Sequence, residues 1–213
     1  MADDIILNGL KTYGVENAEE KAIVLEKYLS EIILFNPTLK LVGEKERDEI
    51  IYRHILDSAS AYSIFSTLTK KSSTIADLGT GAGLPGVVLA ILFPDRNFVL
   101  IDRMTRRIGF LRAVKAKLKL VNVEIISKDI SEVQDHFDYV TSRAFRPLSA
   151  VADNMMKLAP EAILYKGTKK AIEEEINDLK GLGYSFSSSV HPVFPVGEKG
   201  ERNIVVINSW RKA

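Results

Sequence analysis

Apolar residues in the first third of the chain recur at intervals of three and four. Between Ala18 and Phe35 they fall at Ala22, Leu25, Leu29 and Ile32, one stripe of an amphipathic helix. Asn36-Pro37 is expected to stop that helix, because a residue preceding proline is pushed out of helical conformation. A second helical pattern, Ile51, Ile55, Ala59, Tyr62 and Phe65, follows the charged run Glu44–Glu49. The polar stretch Ser66 to Thr74 closes an N-terminal helical extension, residues 1–69.

After that the rhythm changes. Short apolar runs at Thr74–Leu78, Phe98–Ile101, Val123–Ile126, Phe137–Thr141 and Ala162–Tyr165 read as buried strands. Helical patterns at Leu84–Phe93, Met104–Leu120, Pro147–Leu158 and Lys170–Leu182 separate most of them. Two last strands, Tyr184–Val190 and Asn203–Asn208, have only a turn-rich link with Pro192, Pro195, Gly197 and Gly200. The alternation predicts an α/β fold over residues 70–213, with a mainly parallel sheet and a C-terminal antiparallel hairpin.

One loop carries chemistry. Asp77-Leu78-Gly79-Thr80-Gly81-Ala82-Gly83-Leu84-Pro85-Gly86 follows the first strand and opens a helix. Glycines there permit a tight turn and close approach of backbone to a ligand. Asp102 ends the next strand, where a carboxylate can accept both hydroxyls of a ribose. Gly81-x-Gly83-x-x-Gly86 satisfies the dinucleotide fingerprint of NAD(P)-dependent oxidoreductases. The acidic-x-Gly-x-Gly-x-Gly loop of S-adenosylmethionine (AdoMet) methyltransferases is met by Asp77, Gly79, Gly81 and Gly83. A carboxylate at the strand's mouth repels a diphosphate and attracts the ammonium of a methionine tail, so Asp77 favours AdoMet.

Composition narrows the chemistry. The chain has 213 residues, no cysteine and three histidines, which excludes cysteine nucleophiles and disulfides and makes no case for a transition-metal site. The opening Met-Ala-Asp-Asp lacks a signal peptide's basic flank, and no apolar run reaches the ~18 residues of a membrane span. A cytoplasmic, monomeric protein without metal or membrane partner is expected. Net charge is +1, but the first 60 residues hold 7 Lys/Arg against 12 Asp/Glu, leaving the remainder basic. Arg103 to Lys119 supplies seven basic residues and no acid, a footprint suited to a polyanion. Arg53 and Asp57, four apart on a helix, are expected to form an intrahelical ion pair, part of a network docking the extension with His54.

Further segments give the chain a resemblance. Arg53-His54-Ile55-Leu56-Asp57-Ser58, the loop from Asp77 to Gly86, Arg107 with Phe110-Leu111, Ser142-Arg143-Ala144-Phe145, Lys166-Gly167 and Glu201-Arg202-Asn203-Ile204-Val205-Val206-Ile207 occur in one order. Together they resemble the RsmG (GidB) class of bacterial 16S rRNA guanine 7-methyltransferases, over residues ~30–207. Family members usually show Trp-Asn-Lys-x-x-Asn-Leu-Thr where this chain reads Phe35-Asn36-Pro37-Thr38-Leu39-Lys40-Leu41-Val42, so Lys40 and Val42 depart from the pattern.

The resemblance implies a Rossmann-like class I AdoMet methyltransferase that modifies guanine nitrogen-7 in 16S rRNA, within the 30S subunit or a precursor. Asp77, Gly79, Gly81, Gly83 and Leu84 would shape the methionine pocket, Asp102 would hold the ribose, and Ile130 with Ser131 would flank the adenine. Arg143 matches a cofactor-contacting arginine and is the one candidate for a role beside the reacting atoms. No catalytic base is assigned, because guanine N7 already carries a lone pair; aligning donor and acceptor can supply ~7–11 kcal/mol. Arg103, Arg106, Arg107, Arg112, Arg146 and Lys166 are the expected RNA contacts, and Phe145 could stack on a flipped base. A non-catalytic RNA-binding module with a vestigial pocket is the further alternative.

Overall fold

The computed structural model describes residues 4–197 and 200–212; the opening residues Met1 to Asp3, on which the reading of a missing leader partly rests, lie outside them. Among the described residues, five α-helical segments precede the first strand: α1 (Ile5–Thr12), α2 (Ala18–Leu39), α3 (Arg47–Ile50), α4 (Asp57–Ala59) and α5 (Tyr62–Leu68). A π-helical turn, Ile51–Leu56, joins α3 to α4. The expected stop at Asn36-Pro37 comes one turn late. Pro37 lies inside the last turn of α2, where its missing N–H forfeits only a bond to the carbonyl of Ile33, on the partly exposed side. The helix ends at Lys40, whose φ of 49° is left-handed, and the Asn36 side chain ties down the chain beyond through Val42 N and Glu44 O.

Seven strands follow among the described residues: β1 (Thr74–Leu78), β2 (Asn97–Ile101), β3 (Val123–Ile126), β4 (Tyr139–Arg143), β5 (Glu161–Lys166), β6 (Tyr184–Val193) and β7 (Arg202–Lys212). Between them lie α6 (Gly86–Leu92), α7 (Thr105–Leu118), α8 (Leu148–Leu158) and α9 (Lys169–Gly181). The sheet order is β3-β2-β1-β4-β5-β7-β6. Strands β1 to β5 pair in parallel, and β7 slots antiparallel between β5 and β6. The hairpin expected at the sheet's end is present, with its second strand on the inside.

Alternation along the strands divides the core. Ile75, Phe98 and Leu100 point to one face, and Ala76, Leu78, Val99 and Ile101 to the other. The first face is covered by α6, α7 and the N-terminal helices together: Leu25, Leu29, Ile55 and Phe65 belong to the same apolar cluster as Val88, Leu111 and Ile163. The second is covered by α8 and α9 through Val151, Met155, Ile172 and Leu179. Because β1, β4 and β5 run in parallel, the loops after Leu78, Arg143 and Lys166 gather at one end of the sheet, where ligands bind in open α/β folds.

Candidate active site

The glycine loop closes on its own carboxylate. Asp77 is fully buried; its Oδ2 accepts from the Thr80 hydroxyl at 2.6 Å and the Gly86 N–H at 2.8 Å. Its Oδ1 is buried with no hydrogen-bond partner. Burial pushes the carboxyl from 3.8 up to about 6, against the pull of those two hydrogen bonds. Asp77 thus staples the two ends of the loop instead of standing at its mouth. Gly79 and Gly81 take φ of 67° and 60°, left-handed values that glycine adopts without strain. From outside, the Tyr28 hydroxyl of α2 donates to Ala82 O at 2.6 Å, so the extension grips the loop directly.

A cavity of about 290 Å³ opens beside this loop, lined by Gly79, Asp102, Arg103, Arg107, Ile130 and Phe145 among others. Asp102 ends β2 almost buried. Its Oδ1 accepts from Met104 N at 2.8 Å; its Oδ2 accepts from Gly81 N at 3.0 Å and Arg107 Nη1 at 3.3 Å. An ionised carboxylate offers about four acceptor sites, so one stays available to a ribose hydroxyl, and the partly exposed Arg107 can yield a second. The Phe145 ring covers the loop: a Cβ on Gly79 would lie 2.2 Å from Phe145 Cδ2. Gly83 and Leu84 sit in the turn into α6, their N–H groups donating to Thr80 O. Ser131 lines a different hollow and donates both N–H and hydroxyl to Asp129 Oδ1.

A larger cavity, about 630 Å³, lies on the other side of Ala144-Phe145-Arg146, which line both. Its floor is a charged network. Arg143 donates from Nη1 to Asp57 Oδ2 at 2.8 Å and to Arg53 O at 2.9 Å, and from Nη2 to His54 Nδ1 at 3.0 Å. Since arginine only donates, His54 Nδ1 is an acceptor, and the ring proton sits on Nε2, which donates to Glu44 Oε2. Burial and the Arg143 charge hold the imidazole below its usual value of 6.5. Asp57 Oδ1 accepts from Arg202 Nε at 3.2 Å.

The intrahelical pair expected between Arg53 and Asp57 is therefore replaced. Arg53 pairs with Glu44 at 2.9 Å, and both oxygens of Asp57 are taken by arginines from β4 and β7. The cause is the π-helical turn, whose wider winding breaks the i, i+4 alignment on which that pair depends. Glu44, Tyr165, Glu175 and Asn203 line this cavity without having been singled out in the sequence. Gly167 and Asn203 stand in the sequence only within blocks of the family pattern, whereas Lys166 is also an expected RNA contact.

The cationic residues divide. Arg146 borders both cavities, bonding Asp129 at 3.1 Å and stacking its guanidinium 5.1 Å from the Phe145 ring centroid. Lys166 lines the larger cavity. Arg106 flanks a hollow with Lys40 and Arg107, while Arg112 lies farther along α7, beside Lys115 and Lys119. Among the described residues, no helix is long and apolar enough to span a membrane, and no group of three or more His, Cys, Asp or Glu is placed to hold a metal.

Comparison with known proteins agrees with this geometry. Residues 21–205 match the family model for rRNA small subunit methyltransferase G. A ribosomal RNA small subunit methyltransferase G of Treponema denticola is 36% identical over 97% of this chain and 94% of its own. That of Brachyspira hyodysenteriae is 33% identical over 91% of this chain and 92% of its own. In fold, the chain resembles a putative S-adenosyl-L-methionine-dependent methyltransferase of Methanococcus maripaludis, with a TM-score of 0.60 at 13% identity, covering 87% of this chain and 93% of that one. The magnesium protoporphyrin IX methyltransferase of Synechocystis gives 0.58 at 14% identity, covering 85% and 97%. The oxidoreductase alternative finds no support in these relatives. With the strand order of a class I methyltransferase, the glycine loop in place and a match over most of its length, the chain belongs to the rRNA small subunit methyltransferase G family.

Proposed function

We propose that this protein moves the methyl group of AdoMet to nitrogen-7 of a guanine in 16S rRNA, acting in the cytoplasm as a monomer on the 30S subunit or a precursor. The observation that carries the reading is the shared wall: a small cavity beside the glycine loop and a larger basic cavity meet at Ala144-Phe145-Arg146. A donor in the smaller and an acceptor in the larger come together where the cavities meet, at the edge of those three residues. Residues 1–69 and 70–213 act as one unit, because the extension supplies both Tyr28 to the loop and His54 and Asp57 to the larger cavity.

The residues fit the cofactor. Asp102 keeps acceptor capacity for a ribose, Ile130 offers a buried apolar contact for a purine, and the buried unpartnered Oδ1 of Asp77 adds negative potential behind the loop. Gly79 makes room for the Phe145 ring against the loop and borders the cavity, with Gly81, Gly83 and Leu84 setting the turn. AdoMet, when bound, supplies an electrophilic methyl on a positively charged sulfur. The protein's part is alignment. Arg143, held by Asp57 and His54, fixes the floor of the acceptor cavity; Phe145 forms the partition and gives a face for base stacking. Arg103, Arg106, Arg107, Arg112 and Arg146 provide phosphate contacts around the two mouths and along α7, and Lys166 contacts the RNA inside the larger cavity. Incubation with labelled AdoMet and 30S subunits lacking the modification, followed by mapping of the label, tests the reading. Label at a guanine N7 of 16S rRNA is expected; label elsewhere, or none, refutes it.

A further inference from the structure

We propose that Glu175, paired with Lys166, reads the base edge of the acceptor guanine in the larger cavity. The proposal rests on the reading of that cavity as the acceptor site. Among the described residues, three carboxylates line it: Glu44, Asp57 and Glu175. Glu44 is committed through Oε1 to Arg53 and through Oε2 to His54. Asp57 is committed through Oδ2 to Arg143 and through Oδ1 to Arg202. Glu175 differs. Its Oε2 is buried and held by Lys166 Nζ at 2.5 Å, while its Oε1 has no partner among the described residues.

The fold brings this pair to the right place. Arg143 faces Tyr165 in the β4–β5 register, so Lys166 is one residue beyond, at the same end of the sheet. Glu175 reaches it from α9, across the Gly167-Thr168 link. Both line the cavity that shares the Phe145 partition with the glycine loop.

A carboxylate beside an ammonium complements guanine. The base's Watson–Crick edge presents O6 as acceptor and N1–H and N2–H₂ as donors. Through its open Oε1, Glu175 would accept from the N1–H and N2–H donors while Lys166 donates to O6, leaving the N7 lone pair unengaged. Adenine would set the lone pair of its N1 against the carboxylate and its N6 donors against the ammonium, so it is rejected. The contact also bears on reactivity. When the N7–CH₃ bond forms and the sulfur–CH₃ bond breaks, positive charge passes to the purine and no proton leaves N7. A carboxylate on the N1–H edge stabilises that charge as it develops.

The test uses the full chain with 30S subunits lacking the modification. Glu175→Gln keeps the shape but sets an amide donor against the base's donors. It should lower kcat/KM roughly 10- to 100-fold while the AdoMet Kd, by calorimetry, stays within about two-fold. As competitors of wild-type methylation, guanosine 5′-monophosphate should outrank inosine 5′-monophosphate, which lacks N2, and adenosine 5′-monophosphate should be weakest. Glu175→Gln should flatten that ranking. The doubly exchanged K166E/E175K keeps an ion pair with its polarity reversed and should stay impaired. A Glu175→Gln enzyme with wild-type rate and ranking, or recovery of both in the exchanged variant, reduces the pair to a structural bridge and overturns the proposal. A wild-type enzyme that labels no 16S rRNA overturns the functional reading and this inference with it; normal N7 labelling by both wild type and Glu175→Gln overturns the inference alone.

Discussion

The two cavities on either side of Phe145 are built in opposite ways. The smaller is framed half by one β-loop-α-β unit, Asp77 to Arg107, and half by the loops after β3 and β4. Its key bonds, Thr80 and Gly86 to Asp77 and Gly81 to Asp102, span at most 21 residues. The larger is assembled from parts far apart in sequence. Arg143 reaches back 86 residues to Asp57, and Arg202 reaches back 145. The glycine loop beside the smaller cavity is therefore held mainly by short-range bonds that depend on backbone shape. The larger cavity is a long-range ionic assembly that depends on the whole fold being closed.

The sharpest way to break that contrast is at the donor loop. Gly79→Val meets two obstacles, a φ of 67° and the Phe145 ring 2.2 Å from the added Cβ. AdoMet binding by calorimetry should weaken by about 100-fold or more, while the melting temperature falls only by the few degrees of a single strained turn. Unchanged affinity would mean the cofactor does not approach this backbone.

The next effect belongs to the larger cavity. Asp57→Ala leaves Arg143 and Arg202 facing each other without their shared anion. Removing one member of a buried pair costs about 3–5 kcal/mol; Arg202 is about a third exposed, so about 2–3 kcal/mol is expected here. Urea unfolding should show it, with AdoMet affinity nearly retained. A larger loss of cofactor affinity than of stability would show that the two sides are not separable.

Titration should separate them more gently. Asp77 is raised from 3.8 to about 6, so the native state binds the extra proton. Its contribution to stability is present below about pH 4 and is lost as pH rises through about 6. His54 is lowered from 6.5, so its contribution is present above pH 6.5 and is lost as pH falls through its folded value. Asp77→Asn should remove the first slope and His54→Gln the second, read from melting temperature against pH. AdoMet, carrying a positive charge, should bind more tightly as pH rises through about 6, and Asp77→Asn should flatten that profile too. One slope surviving in its own variant would discard that assignment.

The smallest effect is expected on the cationic surface. Arg106 borders a hollow outside both cavities. Arg106→Ala should weaken 30S binding by about two- to five-fold and lower the salt slope by roughly one, without a change in nucleotide preference. A change in preference would bring α7 into base recognition.

Much of this molecule is legible in the chain itself. Strand-helix alternation after residue 73 follows from burial of short apolar runs, and the loop from Asp77 to Asp102 declares itself because glycine positions and a strand-ending acid are local requirements. Even there, burial altered a detail: Asp77, expected at the loop's mouth, turned inward as a staple once its two hydrogen-bond donors closed around it. Pro37 inside a helix and the π-helical turn at Ile51–Leu56 were decided by packing of the extension against α6 and α7, which outweighs local propensity. The partners of Asp57, the tautomer of His54 and the open carboxylate oxygen of Glu175 were settled only by the tertiary structure. Sequence fixes which groups a chain carries and how near neighbours can turn. Which charges meet across 86 or 145 residues depends on strand order and register, and those are set by the closure of the whole core.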